Sequence, residues 1–293
     1  MEFRNLAELP ITELLSVFNQ SFSDYIVPFH LTLEQLKSKI ETEKIDMEVS
    51  VGAFQSGHLA GFILHAEKIE DGKRIIYNAG TGIIPEFRGQ GLVRKMYDFI
   101  LPGLQDRKAD ALMLEVIEGN QPAIRAYKNL GFTISRKLLC FKGNVEPSKK
   151  HTDILVRGLD RFQWEIFTSF WDIEPSWQSS IMVLEQLGEN SIILGAYQEN
   201  KLVGYAVYNP VAGKVYQIAV HKNDREKGIG TQLFNVIGQM SEGKTISINN
   251  VDDFSESTSA FLNAIGLRNW VSQFEMSCEI QSFKGSNYNE KEK

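Results

Sequence analysis

The segment Ile83-Ile84-Pro85-Glu86-Phe87-Arg88-Gly89-Gln90-Gly91-Leu92-Val93 has the residue types of an anion site. An apolar stretch of strand character runs into a loop carrying Arg88, Gly89 and Gly91, and the loop runs straight into a helix. Backbone N–H groups at a helix start point outward and carry part of the macrodipole, so they hold phosphate well. Glycines let the main chain approach the anion with no Cβ in the way. The segment Val220-His221-Lys222-Asn223-Asp224-Arg225-Glu226-Lys227-Gly228-Ile229-Gly230 is its counterpart, again between strand and helix and with the same Arg-x-x-Gly spacing. One such glycine pair alone reads equally well as a tight turn. Two in matching places read as anion loops.

A third candidate fails on context. Gly238-Gln239-Met240-Ser241-Glu242-Gly243-Lys244-Thr245 matches the phosphate-binding pattern G-x-x-x-x-G-K-T letter for letter. A working loop of that type follows a strand and opens a helix. Here the match starts inside a predicted helix and ends at a predicted strand, so it reads as a glycine turn at a helix C-terminus.

The elements that must position the two loops recur in one order. Helical periodicity covers 11–22 and 33–43, and strands at 49–55 and 59–66 flank a Ser56-Gly57-His58 turn. A strand follows at 74–84, then a helix at 92–101, a strand at 111–117, a helix at 121–130 and a closing strand pair or bent strand at 132–142. The polar segment 143–153, with a proline and no periodicity, reads as a linker. The second half then gives helical stretches at 162–169 and 177–187 and strands at 191–197, 202–208 and 214–220. It continues with a helix at 230–241, a strand at 245–249, a helix at 255–264 and a closing strand at 267–279. A repeat this long exceeds the 20–50-residue period of a solenoid. The expected domains are 1–143 and 154–283, joined by 144–153 and followed by a flexible tail at 284–293.

Composition sets the outer limits. The 293 residues are 43% hydrophobic and 23% charged, as in folded globular proteins, with a net charge of −6. An acidic chain is a poor general binder of phosphate backbones, so no nucleic-acid partner is expected. Cys140 and Cys278 form no CxxC pair or disulfide framework and read as reduced thiols. The histidines His30, His58, His65, His151 and His221 are scattered, so no metal site is expected. The N-terminus lacks a signal-type apolar stretch, and no run approaches the ~20 residues that span a bilayer. A soluble, cytoplasmic protein without a membrane partner is expected, of unknown oligomeric state.

The residues now carry a resemblance. Arg88-Gly89-Gln90-Gly91 and Arg225-Glu226-Lys227-Gly228-Ile229-Gly230 resemble the acyl-CoA pyrophosphate loop of the GCN5-related N-acetyltransferase (GNAT) family, Gln/Arg-x-x-Gly-x-Gly/Ala. A second family motif resembles Asn120-x-x-Ala123-x-x-x-Tyr127-x-x-x-Gly131-Phe132 after the strand Leu112–Val116. The resemblance covers essentially the whole chain as two tandem copies. It implies an α/β (α+β) fold of two domains, each a mixed, mainly antiparallel sheet flanked by helices, with a splayed cofactor cleft between its fourth and fifth strands.

It also implies chemistry. The donor would be acetyl-CoA, held by Ile83, Ile84, Arg88, Gly89, Gln90, Gly91, Leu92 and Val93, with Asn120 positioning it and the strand before the loop facing the pantetheine arm. Val220, Arg225, Glu226, Lys227, Gly228, Ile229 and Gly230 are the second-half candidates. Acetyl transfer to an amine needs a base for the ammonium, an acid for the departing thiolate, and donors for the developing oxyanion. The spacing of Glu115 and Tyr127 is similar to that of the bacterial ribosomal-protein N-terminal acetyltransferases, which implies Glu115 as base and Tyr127 as acid. Counting back from Gly266 sets Leu262 at the tyrosine position and Asn250 at the glutamate position, so the second half lacks both groups. The first half departs in turn by Val93, where the family prefers Gly or Ala; that residue is expected to crowd the pyrophosphate or tilt the helix.

The reading is an acetyl-CoA-dependent N-acyltransferase acting on a primary amine, small molecule or peptide N-terminus, by direct attack. The loop Phe22–His30, aromatic with Asp24 and near Glu118, is expected beside the acceptor. The alternative is a non-catalytic acyl-CoA-binding sensor or scaffold, since the two halves have complementary defects. A transferase using aminoacyl-tRNA on the same fold fits the acidic charge less well.

Overall fold

The computed structural model describes residues 1–27, 29–146 and 153–285. These hold twelve strands: β1 Glu2–Asn5, β2 Val51–Gln55, β3 His58–Glu70, β4 Lys73–Ile83, β5 Ala111–Ile117, β6 Thr133–Gly143, β7 Leu155–Leu159, β8 Ile192–Gln198, β9 Lys201–Asn209, β10 Lys214–Val220, β11 Ile246–Asp252 and β12 Arg268–Glu279. Eight α-helices accompany them among the described residues: α1 Ile11–Ser21, α2 Leu33–Thr42, α3 Leu92–Asp106, α4 Gln121–Asn129, α5 Trp164–Phe167, α6 Ile181–Leu184, α7 Ile229–Met240 and α8 Glu256–Ala264.

The chain folds into two compact units, 1–135 with 274–293 and 136–273. These are not the two sequence halves, 1–143 and 154–283. β6 leaves the first unit after Ser135, and β12 enters it at Phe274. The core of unit 1 is therefore completed by Met276, Cys278, Ile280 and Phe283 from the far end of the chain. In unit 2, Phe141 of β6 belongs to the core with Leu233, Ile248 and Leu262. A closing strand is specified locally as a strand, but nothing local says which sheet edge it will join.

Within unit 1 the strand order is β1-β2-β3-β4-β5 followed by β12, and within unit 2 it is β6-β11-β10-β9-β8-β7. β4 pairs with β5 and β10 with β11 in parallel, while β1–β2, β2–β3, β3–β4, β7–β8, β8–β9, β9–β10 and β6–β11 are antiparallel. The parallel pairs are short. β4 and β5 match only from Ile75↔Ala111 to Asn78↔Leu114, and β10 and β11 only at Lys214↔Ser247 and Val215↔Ile248. Beyond these points the strands part. A β-bulge marks the same place in both, because the register with the preceding strand shifts at Ala79 on β4 and at Tyr216 on β10.

The sequence accounts for most elements. α1 buries Leu14, Val17, Phe18 and Ser21, one helical face. α2 starts in a capping box, Thr32 accepting from Gln35 N at 3.2 Å while the Gln35 side chain accepts from Thr32 N at 2.9 Å. Four differences have physical causes. α3 runs through Pro102 to Asp106 rather than stopping at Leu101; fully buried Leu104 anchors its last turn. The stretches 162–169 and 177–187 break into short helical turns, since their aromatics pack as rings, Phe167 stacking on Tyr205 at 3.8 Å. β1 and β7 are outer strands with mostly exposed residues, and so lack an apolar alternation to read. The tail is docked as far as Lys284, whose N–H donates to Leu130 O at 2.9 Å; most of the predicted linker and tail, 147–152 and 286–293, lies outside the described residues.

α7 ends at Met240, Gly243 takes φ +81°, and β11 begins at Ile246. The 238–245 match is thus a helix-to-strand turn. Cys140 and Cys278 are buried and unbridged. No helix among the described residues is long and apolar enough to cross a membrane.

Candidate active site

The two loops have one construction. Each follows its strand through a single helical turn, Pro85–Phe87 or Lys222–Asp224, to the arginine. Gly89 and Gly91 take φ of +75° and +69°; Glu226 and Gly228 take +62° and +84°. Left-handed φ suits glycine and is strained for glutamate, so the second loop keeps the fold of the first at a local cost. Neither α3 nor α7 has a capping side chain at its start, which leaves the first-turn N–H groups to an external acceptor. A Cβ at Gly89 or Gly91 would meet nothing within 4 Å, so both glycines border open space. That cradle fits a pyrophosphate bound by backbone donors.

The arginines, expected among the cofactor-binding residues, are also bonded within the protein. Arg88 Nη1 and Nη2 donate to the two Asp24 carboxylate oxygens at 2.7 and 2.8 Å, Nη2 also to Ser21 O at 2.9 Å, and Nε to Ile83 O at 3.1 Å. Arg225 repeats this with Asp172, with Phe170 O at 3.1 Å and with Val220 O at 3.1 Å. Each guanidinium thus ties its loop to the end of the preceding strand and to the segment after Ser21 or Phe170. The Arg88 hydrogen bond, then its charge, holds the Asp24 carboxyl below the usual carboxylate range. Asp24, expected beside the acceptor, is committed to this clamp. Lys227 likewise bonds Asp224 at 2.8 Å, and Gln90 reaches back to Glu86 O at 3.4 Å.

The remaining candidates fall as follows. Ile83 pairs with Gly61, Val220 with Gly204, and Ile84 N donates to Ala60 O at 3.1 Å. Leu92 and Ile229 are buried anchors for their helices. Val93 is partly buried and packs against the unit 1 core. At Gly230 a Cβ would lie 3.0 Å from the Phe261 ring of α8; the matching residue of α4 is Ala126, so bulk sits on the other helix of the pair in unit 1. Asn120 caps α4, its Oδ1 accepting from Ala123 N at 3.2 Å and its Nδ2 donating to Tyr25 OH at 3.3 Å.

Tyr127 points from α4 into the place where β4 and β5 part. It is 6% exposed, and burial pushes its phenol up to about 12, against hydrogen bonds from Thr81 and Asn78. Its oxygen lies 3.5 Å from Asn78 Nδ2, which also reaches Thr81 Oγ1 at 2.8 Å and Tyr97 OH at 3.0 Å. On β5, Leu112, Leu114 and Val116 share the Tyr127 core, so period-2 alternation turns half-buried Glu115 to the opposite face. Sequence reasoning missed Asn78, Thr81 and Tyr97. The signal was the run Asn78-Ala79-Gly80-Thr81-Gly82, since glycines inside a strand mark a bulge or close approach.

In unit 2 a cleft of about 700 Å³ opens between the α7 start and the parted strands, lined by Tyr205, Gln217, Asn249, Asn250 and Ser176 among others. β11 carries one extra residue here, a bulge between Ile248 and Val251 with Asn250 at φ +62°. Two asparagines, not one, thus occupy the place of Glu115. Leu262 is fully buried.

The sequence profile of the acetyltransferase (GNAT) family matches residues 13–132 and 156–246. The chain belongs to the GNAT acetyltransferase family. A mycothiol acetyltransferase of Thermomonospora curvata is 35% identical over 123 residues, 42% of this chain and 40% of that protein. The chain thus spans about two fifths of that relative's length. Among solved structures, a GCN5-related N-acetyltransferase from Sphaerobacter thermophilus aligns with a TM-score of 0.72 at 17% identity, covering 97% of this chain and 96% of that one. A tandem GNAT protein from the clavulanic acid biosynthesis pathway aligns at 0.68 and 14% identity, covering 95% and 98%. The chain has the tandem GNAT fold, and acetyl transfer is the reaction that gives its family its name. Acetyl-CoA is the donor typical of its family.

Proposed function

We propose that unit 1 transfers an acetyl group from acetyl-CoA to a primary amine of a small molecule or peptide N-terminus, with Tyr127 as acid and Glu115 as base. The observation that carries this reading is the Tyr127 hydroxyl, buried where β4 and β5 part and kept protonated by its surroundings. Bound acetyl-CoA supplies an activated thioester open to a neutral amine. The backbone donors of 89–93 hold its pyrophosphate, and Arg88 keeps the loop in place through Asp24. Glu115 takes a proton from the incoming ammonium, directly or through water, and Tyr127 gives its proton to the departing thiolate sulfur. Proton transfer by such groups contributes roughly 10²–10⁴-fold.

Unit 2 is proposed as a second acyl-CoA site without turnover, because its loop and cleft are formed while Asn249, Asn250 and Leu262 offer no acid or base. The test is acetyl-CoA titration calorimetry on wild type, Gly91→Glu and Gly228→Glu, with turnover measured over an amine panel. Turnover lost in Gly91→Glu, with one site still titrating, is the expected result. Turnover abolished by Gly228→Glu and kept by Gly91→Glu would move catalysis to unit 2. Wild-type binding with no turnover on any amine would favour the sensor or scaffold reading.

A further inference from the structure

The duplicated fold contains its own control for the polar cluster around Tyr127. Aligning the units on Arg88 and Arg225 sets Asn78 on Val215, Thr81 on Ile218 and Tyr97 on Phe234; aligning them on Gly131 and Gly266 sets Tyr127 on Leu262. The sheet agrees, since Asn78 and Val215 are each the last residue paired to the parallel neighbour before the strands part. Four polar residues in unit 1 are thus four apolar residues in unit 2. Val215, Phe234 and Leu262 are at most 1% exposed, and Ile218 packs against the same core. Unit 2 builds this part of the frame with hydrocarbon alone. Buried polar groups are costlier than hydrocarbon of similar shape, so the fold does not require the cluster.

Its hydrogen bonds show what it is arranged for. Asn78 Oδ1 accepts from the Gly80 backbone N–H at 3.1 Å. A backbone N–H can only donate, which fixes the orientation of the amide and turns Nδ2 toward the oxygens of Thr81, Tyr97 and Tyr127. Asn78 Nδ2 offers two hydrogens to three oxygens, and the contact to Tyr127 is the longest. The balance changes when Tyr127 loses its proton, because a hydrogen bond to an anion is about twice as strong as one between neutral groups. The Nδ2 hydrogen and the Thr81 hydroxyl then turn to the phenolate. The titratable groups facing the pair of tyrosines are Tyr25 beside Tyr127, Cys278 beside Tyr97, and His65, whose ring centroid is 5.7 Å from that of Tyr97. His65 is held neutral, so none of them supplies positive charge.

We propose that Asn78 and Thr81 are positioning residues that stabilise the phenolate Tyr127 becomes on giving up its proton, and that unit 2 cannot support this chemistry for want of both. The inference rests on the acid role given to Tyr127 above. In that step the Tyr127 O–H bond breaks and an S–H bond forms on the departing thiolate. As the acetyl C–N bond forms and the C–S bond breaks, the nitrogen sheds a second proton that returns to the phenolate through water, and the proton Glu115 took from the ammonium is released to solvent, so the enzyme is restored.

The test places 3,5-difluorotyrosine at position 127 of the full chain, lowering the phenol into a range accessible by absorbance titration. Wild-type, Asn78→Ala, Thr81→Val and Thr81→Ser backgrounds are compared. Loss of a hydrogen bond to a charged group is expected to raise the ionisation midpoint by about 1 pH unit in Asn78→Ala and Thr81→Val. Thr81→Ser, which keeps the hydroxyl, is expected to titrate like wild type. With the natural tyrosine, kcat is expected to fall about tenfold in the first two variants while KM for acetyl-CoA holds. Should Asn78→Ala fail to fold, the Thr81 pair carries the test alone. Equal midpoints in Thr81→Val and Thr81→Ser, with Tyr127→Phe crippled, would overturn this proposal and leave the acid role standing. Undiminished turnover in Tyr127→Phe would overturn the acid role itself, and the proposal with it.

Discussion

His65 gives unit 1 a calculable weakness to acid. Its side chain is fully buried, Nδ1 donates to Val49 O at 2.8 Å, and Nε2 is buried without a partner among the described residues. Burial lowers its ring from the usual 6.5 to about 4, against the pull of the Val49 carbonyl. Between these values the unfolded chain binds a proton that the folded chain refuses, so stability falls as pH falls. The loss begins near pH 6.5, reaches about 2 kcal/mol at pH 5 and levels off at about 3 kcal/mol below pH 4. Against a typical total of about 5–15 kcal/mol, that is a large share. The perturbation is His65→Phe, which keeps a ring of similar size against Tyr97 and removes the titration. It also leaves the Val49 carbonyl unpaired, lowering stability at every pH, so the pH slope and not the absolute value is the readout. All four tryptophans, Trp164, Trp171, Trp177 and Trp270, lie in unit 2. Denaturant melts at pH 7.5 and 5 would therefore follow unit 2 by tryptophan fluorescence and unit 1 by hydrogen exchange of its peptides. Wild-type unit 1 should lose about 2 kcal/mol more between the two pH values than His65→Phe does. An equal loss in both proteins would refute the reasoning.

Two further predictions follow from the fold and the loop. A fragment ending at residue 143 lacks Met276, Cys278, Ile280 and Phe283 of its core and should show no cooperative melt by circular dichroism; residues 1–135 joined by a flexible linker to 274–285 should recover one. Asp24→Asn removes the charged half of the clamp on Arg88 and should weaken acetyl-CoA binding about five- to tenfold in calorimetry, with stability almost unchanged because an exposed pair contributes about 0–1 kcal/mol.

The legible part of the site was local. Glycine spacing predicted two loops, and both loops take left-handed φ values at helix starts. Strand β5 and the order of strand, loop and helix were readable because burial alternates along one element. Asp24 and Asn78 were not readable. Their partners lie 64 residues away at Arg88 and 49 residues away at Tyr127, and no local pattern marks an aspartate as the far half of a clamp. Asn120 was readable only in part: its position before a helix predicted a cap, and the cap uses its Oδ1.

The sequence by itself determined the duplicated order of elements, the glycine loops and the loss of ionisable groups from the second copy. Each is written in residue type and spacing, which set φ, ψ and the buried face of one segment at a time. Tertiary structure alone decided that β12 would complete the first unit, that Arg88 would clamp Asp24, and that Asn78, Thr81 and Tyr97 would gather on Tyr127. A strand edge or a buried amide finds its partner through the packing of whole elements, and that choice has no local signature.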